Sequence, residues 1–269
     1  MIHLLQAYSG EAVSLRSIPE RVVSLVPSIT ENLILFGKKP VGRTSFCIHP
    51  KDEVRGIPVV GGTKTLKMSK ILELNPDLVI ANKEENLKED VEFLVKEGVS
   101  VWVTYPTKVQ DVIPLMESLE GLCGTCEKTS TTIQDCKKTM ERLIHKENKK
   151  KPRVVALIWK NPWMAAGKDT YIDNMLTFAG GQNPVKEEKG RYPVLTQEEI
   201  LALSPDLILL PSEPYAFKES DKVEWFERLA ASNHQGEVEL FCGEDLSWYG
   251  PRVKRGLETL EKLISALRR

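Results

Sequence analysis

The stretch Ile71 to Glu84, ILELNPDLVIANKE, has a near copy, ILALSPDLILLPSE, at Ile200 to Glu213, and this doubling constrains the chain more than any other feature. Ile, Leu, Leu, Pro, Asp, Leu and Glu recur in step. Ile71 and Ile200 lie 129 positions apart, and a second echo, RVVSL from Arg21 against RVVAL from Arg153, lies 132 positions apart. Each copy of the longer echo reads as the end of an amphipathic helix, a turn at Asn75-Pro76 or Ser204-Pro205, and a short apolar strand suited to a buried parallel sheet. The chain is therefore expected to be α/β and built twice, as two similar lobes with mainly parallel sheets. At 269 residues, each lobe is large enough to bury a core of its own.

The order of elements follows from apolar runs and stop signals. In lobe one, Glu11 to Ile18 alternates like an edge strand, and Arg21 to Val26 is an apolar strand. Ser28 to Glu31 has capping-box spacing ahead of a helix stopped at Gly37. Val41 to Ser45 and the glycine pair in Val59 to Thr63 come next. The first echo leads to a helix over Leu87 to Lys96, a strand over Val99 to Val103 and a helix near Val109 to Leu119. From Cys126 to about Asn148 the chain is charged and free of proline and glycine, with Ile133, Cys136, Met140, Leu143 and Ile144 on one stripe. That predicts one long, stiff helix joining the lobes, and hence lobe motion of only a few degrees on binding. The expected division is 1–121 for the first lobe, 122–150 for the linking helix and 151–269 for the second lobe.

Lobe two opens with a strand over Arg153 to Trp159 and a turn at Asn161 to Trp163. A helix over Thr170 to Ala179 follows, then a second capping box at Thr196 to Glu199 and the strand Asp206 to Leu210. Helix Val223 to Ala231, strand Val238 to Cys242 and a helix from Arg252 to Leu267 complete it.

Charge and motif content exclude several functions. Lys plus Arg is 37 against 38 for Asp plus Glu, so no net field recruits nucleic acid or an anionic membrane. No apolar run is long enough to span a bilayer. The N-terminus lacks an export signal, and the five cysteines suggest no disulfide framework, so the expected location is cytoplasmic, or periplasmic or surface-exposed after trimming. Cys123 and Cys126 form a CxxC without the second ligand pair of a zinc site. No P-loop, GxGxxG, GxSxG or HExxH occurs, so nucleophilic catalysis has no motif behind it and no catalytic residue is assigned.

Loops expected at strand ends carry the candidate binding residues, because ligands of α/β proteins gather there. In lobe one these are Ser28 and Thr30 at a helix start, Phe46, His49, the backbone near Thr63, and the polar anchors Lys64 and Asn82. In lobe two they are Trp159, Trp163, Tyr192, Trp248, Tyr249 and Arg252. Flat aromatic walls with a few polar anchors suit a planar or macrocyclic ligand. The remaining histidines fall in a tail, the linker and a surface loop, so no bare-ion site is expected. His49 is either a polar wall or the axial ligand to the metal of a bound tetrapyrrole.

The segments RVVSLVPSITE (Arg21 to Glu31), ILELNPDLVIA (Ile71 to Ala81), YIDNMLTFAGGQN (Tyr171 to Asn183) and YPVLTQEEILALSPDLIL (Tyr192 to Leu209) together resemble the cobalamin and iron-chelate solute-binding proteins of ABC importers. That family has two lobes bridged by one long helix, and the resemblance covers nearly the whole chain, closest to the cobalamin-binding branch. It implies a corrinoid in an interlobe cleft, with His49, Trp159, Tyr192 and Trp248 on or beside the aromatic positions that sandwich it. Glu198 falls on a carboxylate that meets an arginine pocket of the permease. Ser69 stands where the family carries the matching lobe-one carboxylate, and Thr63 where it carries a cleft tryptophan.

Three readings remain open on the residues: a monomeric importer receptor for cobalamin or another corrinoid, alternatively haem or a ferric siderophore, with no cofactor of its own; a cytosolic corrinoid or haem carrier or sensor; and a chelatase-like enzyme using His49 with Glu84.

Overall fold

The computed structural model describes residues 2–6, 12–144 and 151–267. They fall into two compact units, Met1–Pro106 with Val112–Gln134, and Thr107–Asp111 with Asp135–Arg269.

Unit one begins with an antiparallel hairpin of β1 (Ile2–Leu5) and β2 (Ala12–Leu15). Next come β3 (Val22–Ser24), α1 (Pro27–Leu35), β4 (Gly42–Arg43), β5 (Gly61–Gly62), β6 (Thr65–Leu66), α2 (Met68–Glu73), β7 (Leu78–Asn82), α3 (Lys88–Lys96) and β8 (Val101–Thr104). A 3-10 turn at Val109–Asp111, itself part of unit two, precedes α4 (Val112–Cys123), and α5 (Glu127–Ile144) follows, passing into unit two at Asp135. The main sheet runs β4-β3-β7-β8, parallel throughout. Every residue of β7 is buried, as a central strand covered on both faces must be. Val23, Leu25, Val79, Ala81, Val101 and Val103 pack with Ile71, Val91 and Leu94 from α2 and α3 to form its core.

Unit two repeats the plan with β9 (Val154–Trp159), β10 (Met164–Ala165), α6 (Tyr171–Phe178), α7 (Gln197–Ala202), β11 (Leu207–Pro211), α8 (Glu219–Ala231), β12 (Glu237–Phe241), α9 (Gly243–Ser247) and α10 (Arg252–Ala266). Its sheet runs β10-β9-β11-β12; β9, β11 and β12 are parallel, and only β10 is antiparallel. The doubling expected from the sequence is present down to the backbone. Asn75 and Ser204 stop α2 and α7 in the left-handed region at φ 43° and 46°, and β7 and β11 are the second of three consecutive parallel strands in their sheets.

Local signals were realised unevenly. Thr196 does form the capping box with Glu199. Ser28 does not cap α1, because Pro27 takes the first helical position and moves the N-cap back to Val26, which has no side-chain acceptor. Helix α5 holds 18 residues, about 27 Å of helix. Its expected tail beyond residue 144 lies outside the described residues. Ile133, Cys136, Met140 and Leu143 are buried along its stripe, but Ile144 is 57% exposed. Elements as short as β10 and α9 are too brief to carry a periodic sequence signal.

Candidate functional site

In unit one the loops leaving β3 and β7 and the β5-β6 hairpin are tied by one buried amide. Asn86 donates through Nδ2 to Thr63 O at 3.1 Å and Leu25 O at 3.4 Å, while its Oδ1 accepts from Asn82 N–H at 2.8 Å. Asn82 Oδ1 in turn accepts from Glu84 N–H at 2.8 Å. Asn82, expected as a ligand anchor, is wholly buried and organises its own loop instead. Lys64 is exposed and donates to Glu84 O at 2.7 Å, so the hairpin is fastened to the β7-α3 loop at a second point. The glycine pair serves that hairpin: Gly61 has φ 118°, and a Cβ there would meet Thr65 O.

Behind the Phe46 loop lies a buried polar cluster. Thr30 Oγ1 donates to Ser24 Oγ at 2.8 Å and lies 3.0 Å from Cys47 Sγ, which is 3.2 Å from Thr44 Oγ1. Burial pushes the Cys47 thiol up. Thr30, expected to face a ligand, is therefore committed to loop structure. Ser28 is buried as well, and its Oγ has no hydrogen-bond partner. Outward from this cluster Phe46 is 60% exposed, joined by Ile48, which the sequence reading missed. His49 is half-buried. Among the described residues, no group of three His, Cys, Asp or Glu side chains is arranged to hold a metal ion.

In unit two an aromatic chain runs from the surface inward. Trp159, at the end of β9, is 41% exposed and meets Tyr215 edge-on at 5.8 Å between ring centroids. Tyr215 meets Phe217 at 4.7 Å, Phe217 stacks on Trp163 at 6.2 Å, and Trp163 meets the fully buried Trp225 at 5.1 Å. Trp163 is thus a core residue and not the loop-tip wall expected of it, because β10 folds back antiparallel on β9 and carries it into the core. Lys160 lies 5.4 Å over the Trp163 ring and bridges Asp221 and Glu224 at 2.6 and 2.7 Å. Tyr192 is 39% exposed, with the Arg191 guanidinium 5.7 Å from its ring.

The α9 region holds the remaining candidates. Trp248 and Tyr249 are both buried, so neither is an open wall. Tyr249 meets Tyr171 edge-on at 4.9 Å; the Arg252 guanidinium sits 5.1 Å over Trp248 and reaches Asp245 at 3.3 Å. Glu213, the last residue of the second echo, accepts from Ser247 Oγ at 3.0 Å, and burial together with the charge of Glu244 raises its carboxyl.

Away from these loops, Asn161, Pro162, Trp163, Val194, Gln197 and Glu198 border an open depression of about 440 Å³. Glu198 stands exposed in the first turn of α7, where a backbone N–H and the Thr196 hydroxyl lower its pKa. Ser69, its counterpart at the 129-residue spacing, is exposed in the first turn of α2.

Comparison with known proteins places this geometry in context. The family described as periplasmic binding protein matches residues 22–228. A vitamin B12-binding protein of Salmonella choleraesuis is 26% identical over 191 residues, 71% of each chain. An uncharacterised ABC transporter substrate-binding lipoprotein of Bacillus subtilis is 26% identical over 267 residues, 95% of this chain and 83% of the relative. The crystal structure of the periplasmic vitamin B12-binding protein of Vibrio cholerae shares the fold with a TM-score of 0.81 at 19% identity, covering 94% of this chain and 99% of the other. These likenesses overturn the cytoplasmic expectation, since the matched family and solved neighbour are periplasmic and the Bacillus relative is a lipoprotein.

Proposed function

Because the chain belongs to the periplasmic binding protein family, we propose that it is the solute receptor of an ABC importer and that its solute is a corrinoid of the cobalamin type. The curated relatives support the ligand class, among them the vitamin B12-binding protein of Salmonella. The observation on this chain that carries the reading is Trp159. An indole left 41% exposed at a strand end and braced edge-on by Tyr215 is an anchor held in place for a flat partner.

In unit one the residues proposed to meet the solute are the exposed Phe46 and Ile48 with the polar His49 and Lys64, and in unit two they are the partly exposed Trp159 and Tyr192. Ser28 contributes from below the surface. Trp248, Tyr249 and Arg252 act by shaping the loop from α9 to α10. The protein holds its solute and transforms nothing. Glu198, kept ionised at the start of α7, is the proposed contact to an arginine of the permease. Ser69 offers no matching charge from unit one, so docking rests more heavily on unit two.

Titration of the purified protein with cobalamin, haem and a ferric siderophore, followed by tryptophan fluorescence, tests the reading. Cobalamin is expected to bind at micromolar concentration or below. Trp159→Ala is expected to weaken it by about 1–3 kcal/mol, as loss of a stacking anchor does. Saturable binding of haem with no response to cobalamin would replace the corrinoid; no binding of any of the three would remove the reading.

A further inference from the structure

The start of α1 is the least satisfied buried polar feature at the strand-end loops of unit one. Helix N-termini leave their first N–H groups without intrahelical acceptors, and here no side chain caps them and no acid lies in the first turn. Pro27 has no N–H, and the Thr30 N–H is used by Val26 O at 2.9 Å, which leaves the N–H groups of Ser28 and Ile29. The Ser28 hydroxyl in the same turn is the independent sign of a missing partner. Ser28 is 2% exposed, and its Oγ has neither a protein partner nor access to bulk water.

The neighbouring hairpin carries a cation, Lys64, while Glu31 further along α1 is buried and the charge of Glu85 reaches Cys47, whose Sγ is 3.0 Å from Thr30 Oγ1. Asn86 ties Leu25, two residues before α1, to Thr63 of the β5-β6 hairpin, and Lys64 follows directly. The positive end of the helix dipole, a hydroxyl donor and an ammonium therefore belong to one braced group of loops at the C-terminal ends of β3 and β7.

We propose that the first turn of α1 is an anion subsite, in which Ser28 N–H, Ile29 N–H and Ser28 Oγ receive one oxyacid group of the solute, a phosphate diester or a carboxylate, with Lys64 on the hairpin that Asn86 ties to the same loops. As a statement about the solute, this rests on the receptor reading above and narrows it to macrocycles that carry such a group. The subsite itself does not depend on the macrocycle.

Two measurements separate these claims. In the first, inorganic phosphate is titrated into the isotopically labelled full chain and backbone amide resonances are followed. Ser28 and Ile29 are expected to shift saturably, Lys64→Ala to weaken the response several-fold, and Ser28→Asp to abolish it. Unmoved Ser28 and Ile29 resonances in the wild type would overturn the subsite. Lys64 is exposed, so its variant keeps the test intact if Ser28→Asp lowers the melting temperature.

In the second, cobalamin is compared with cobinamide, which lacks the phosphate diester, and haem with its dimethyl ester, which lacks the free carboxylates. Lys64→Ala and Ser28→Asp are expected to weaken the anionic member of the bound pair about tenfold more than they weaken the other. Loss from cobalamin against cobinamide assigns the phosphate diester, and loss from haem against its ester assigns the carboxylate. Equal losses within a pair would show that the solute does not use the subsite. Phosphate binding without binding of any macrocycle would leave the subsite standing and remove the receptor reading.

Discussion

Asp206 accepts the backbone N–H of Arg153 at 2.7 Å, and the Arg153 guanidinium donates to Leu203 O, also at 2.7 Å. The same exchange occurs in unit one, where Asp77 accepts the Arg21 N–H at 3.1 Å and Arg21 Nε donates to Leu74 O at 3.0 Å. The two sequence echoes are thus bonded to each other in each unit. The arginine that opens one strand closes the helix before the next, and the aspartate after the Pro fixes the register between the two strands.

Removing that acceptor should loosen unit two at the β9-β11 pairing. Asp206→Ala is expected to cost about 1–3 kcal/mol, since it strands a partly buried N–H. Asp206→Asn should recover part of the loss by keeping an acceptor oxygen. Urea denaturation followed by circular dichroism reads both, and unchanged midpoints would show the bond to be dispensable.

Two tryptophans four residues apart should behave oppositely. Trp163→Ala empties a site between Phe217 and Trp225 and is expected to destabilise the fold by about 3–5 kcal/mol. Trp159→Ala removes a partly exposed ring and should leave the melting temperature nearly unchanged while weakening the solute. Melting curves of the two variants, measured without solute, separate the roles.

Glu213 should give stability a pH dependence. Its carboxyl is raised above 4.5 by burial first and by Glu244 second, so the folded state binds this proton more tightly than the unfolded chain does. The contribution is full below about pH 4.5 and is lost as pH rises through the raised value. Glu213→Gln is therefore expected to melt higher than the wild type at pH 7, with the gap closing toward pH 4. A gap that is constant with pH would rule out ionisation as its cause.

The cysteines should differ sharply in reactivity. Cys126 is exposed, and hydrogen bonds from the Thr129 backbone and side chain lower its thiol. Burial raises Cys123 and Cys136, each to about 11, and also raises the enclosed Cys47. Brief alkylation of the native protein with iodoacetamide, read by mass spectrometry, should modify Cys126 before these three. Comparable labelling of Cys47 would contradict its enclosure.

Much of this fold can be read before any coordinate. Thr196 and Glu199 cap α7 because both partners lie within one helical turn and nothing nearby competes. The same spacing at Ser28 and Glu31 fails because Pro27, one residue earlier, is a better first helical residue. Exposure of aromatic loops was not legible in this way. Trp159 and Trp163 flank one proline turn, yet only pairing of β10 with β9 sends Trp163 inward. Asn86 gave no sequence signal, because its carbonyl partners at Leu25 and Thr63 are distant in the chain.

The doubling, the parallel strands and the stops between elements follow from residue periodicity and from backbone preferences within a few positions. Tertiary structure alone decided which aromatic rings remain open, which asparagine braces the loops and why Ser28 is left without a partner. Those outcomes depend on packing between segments far apart in sequence, where burial and unmet hydrogen bonds are settled only once the chain has closed around them.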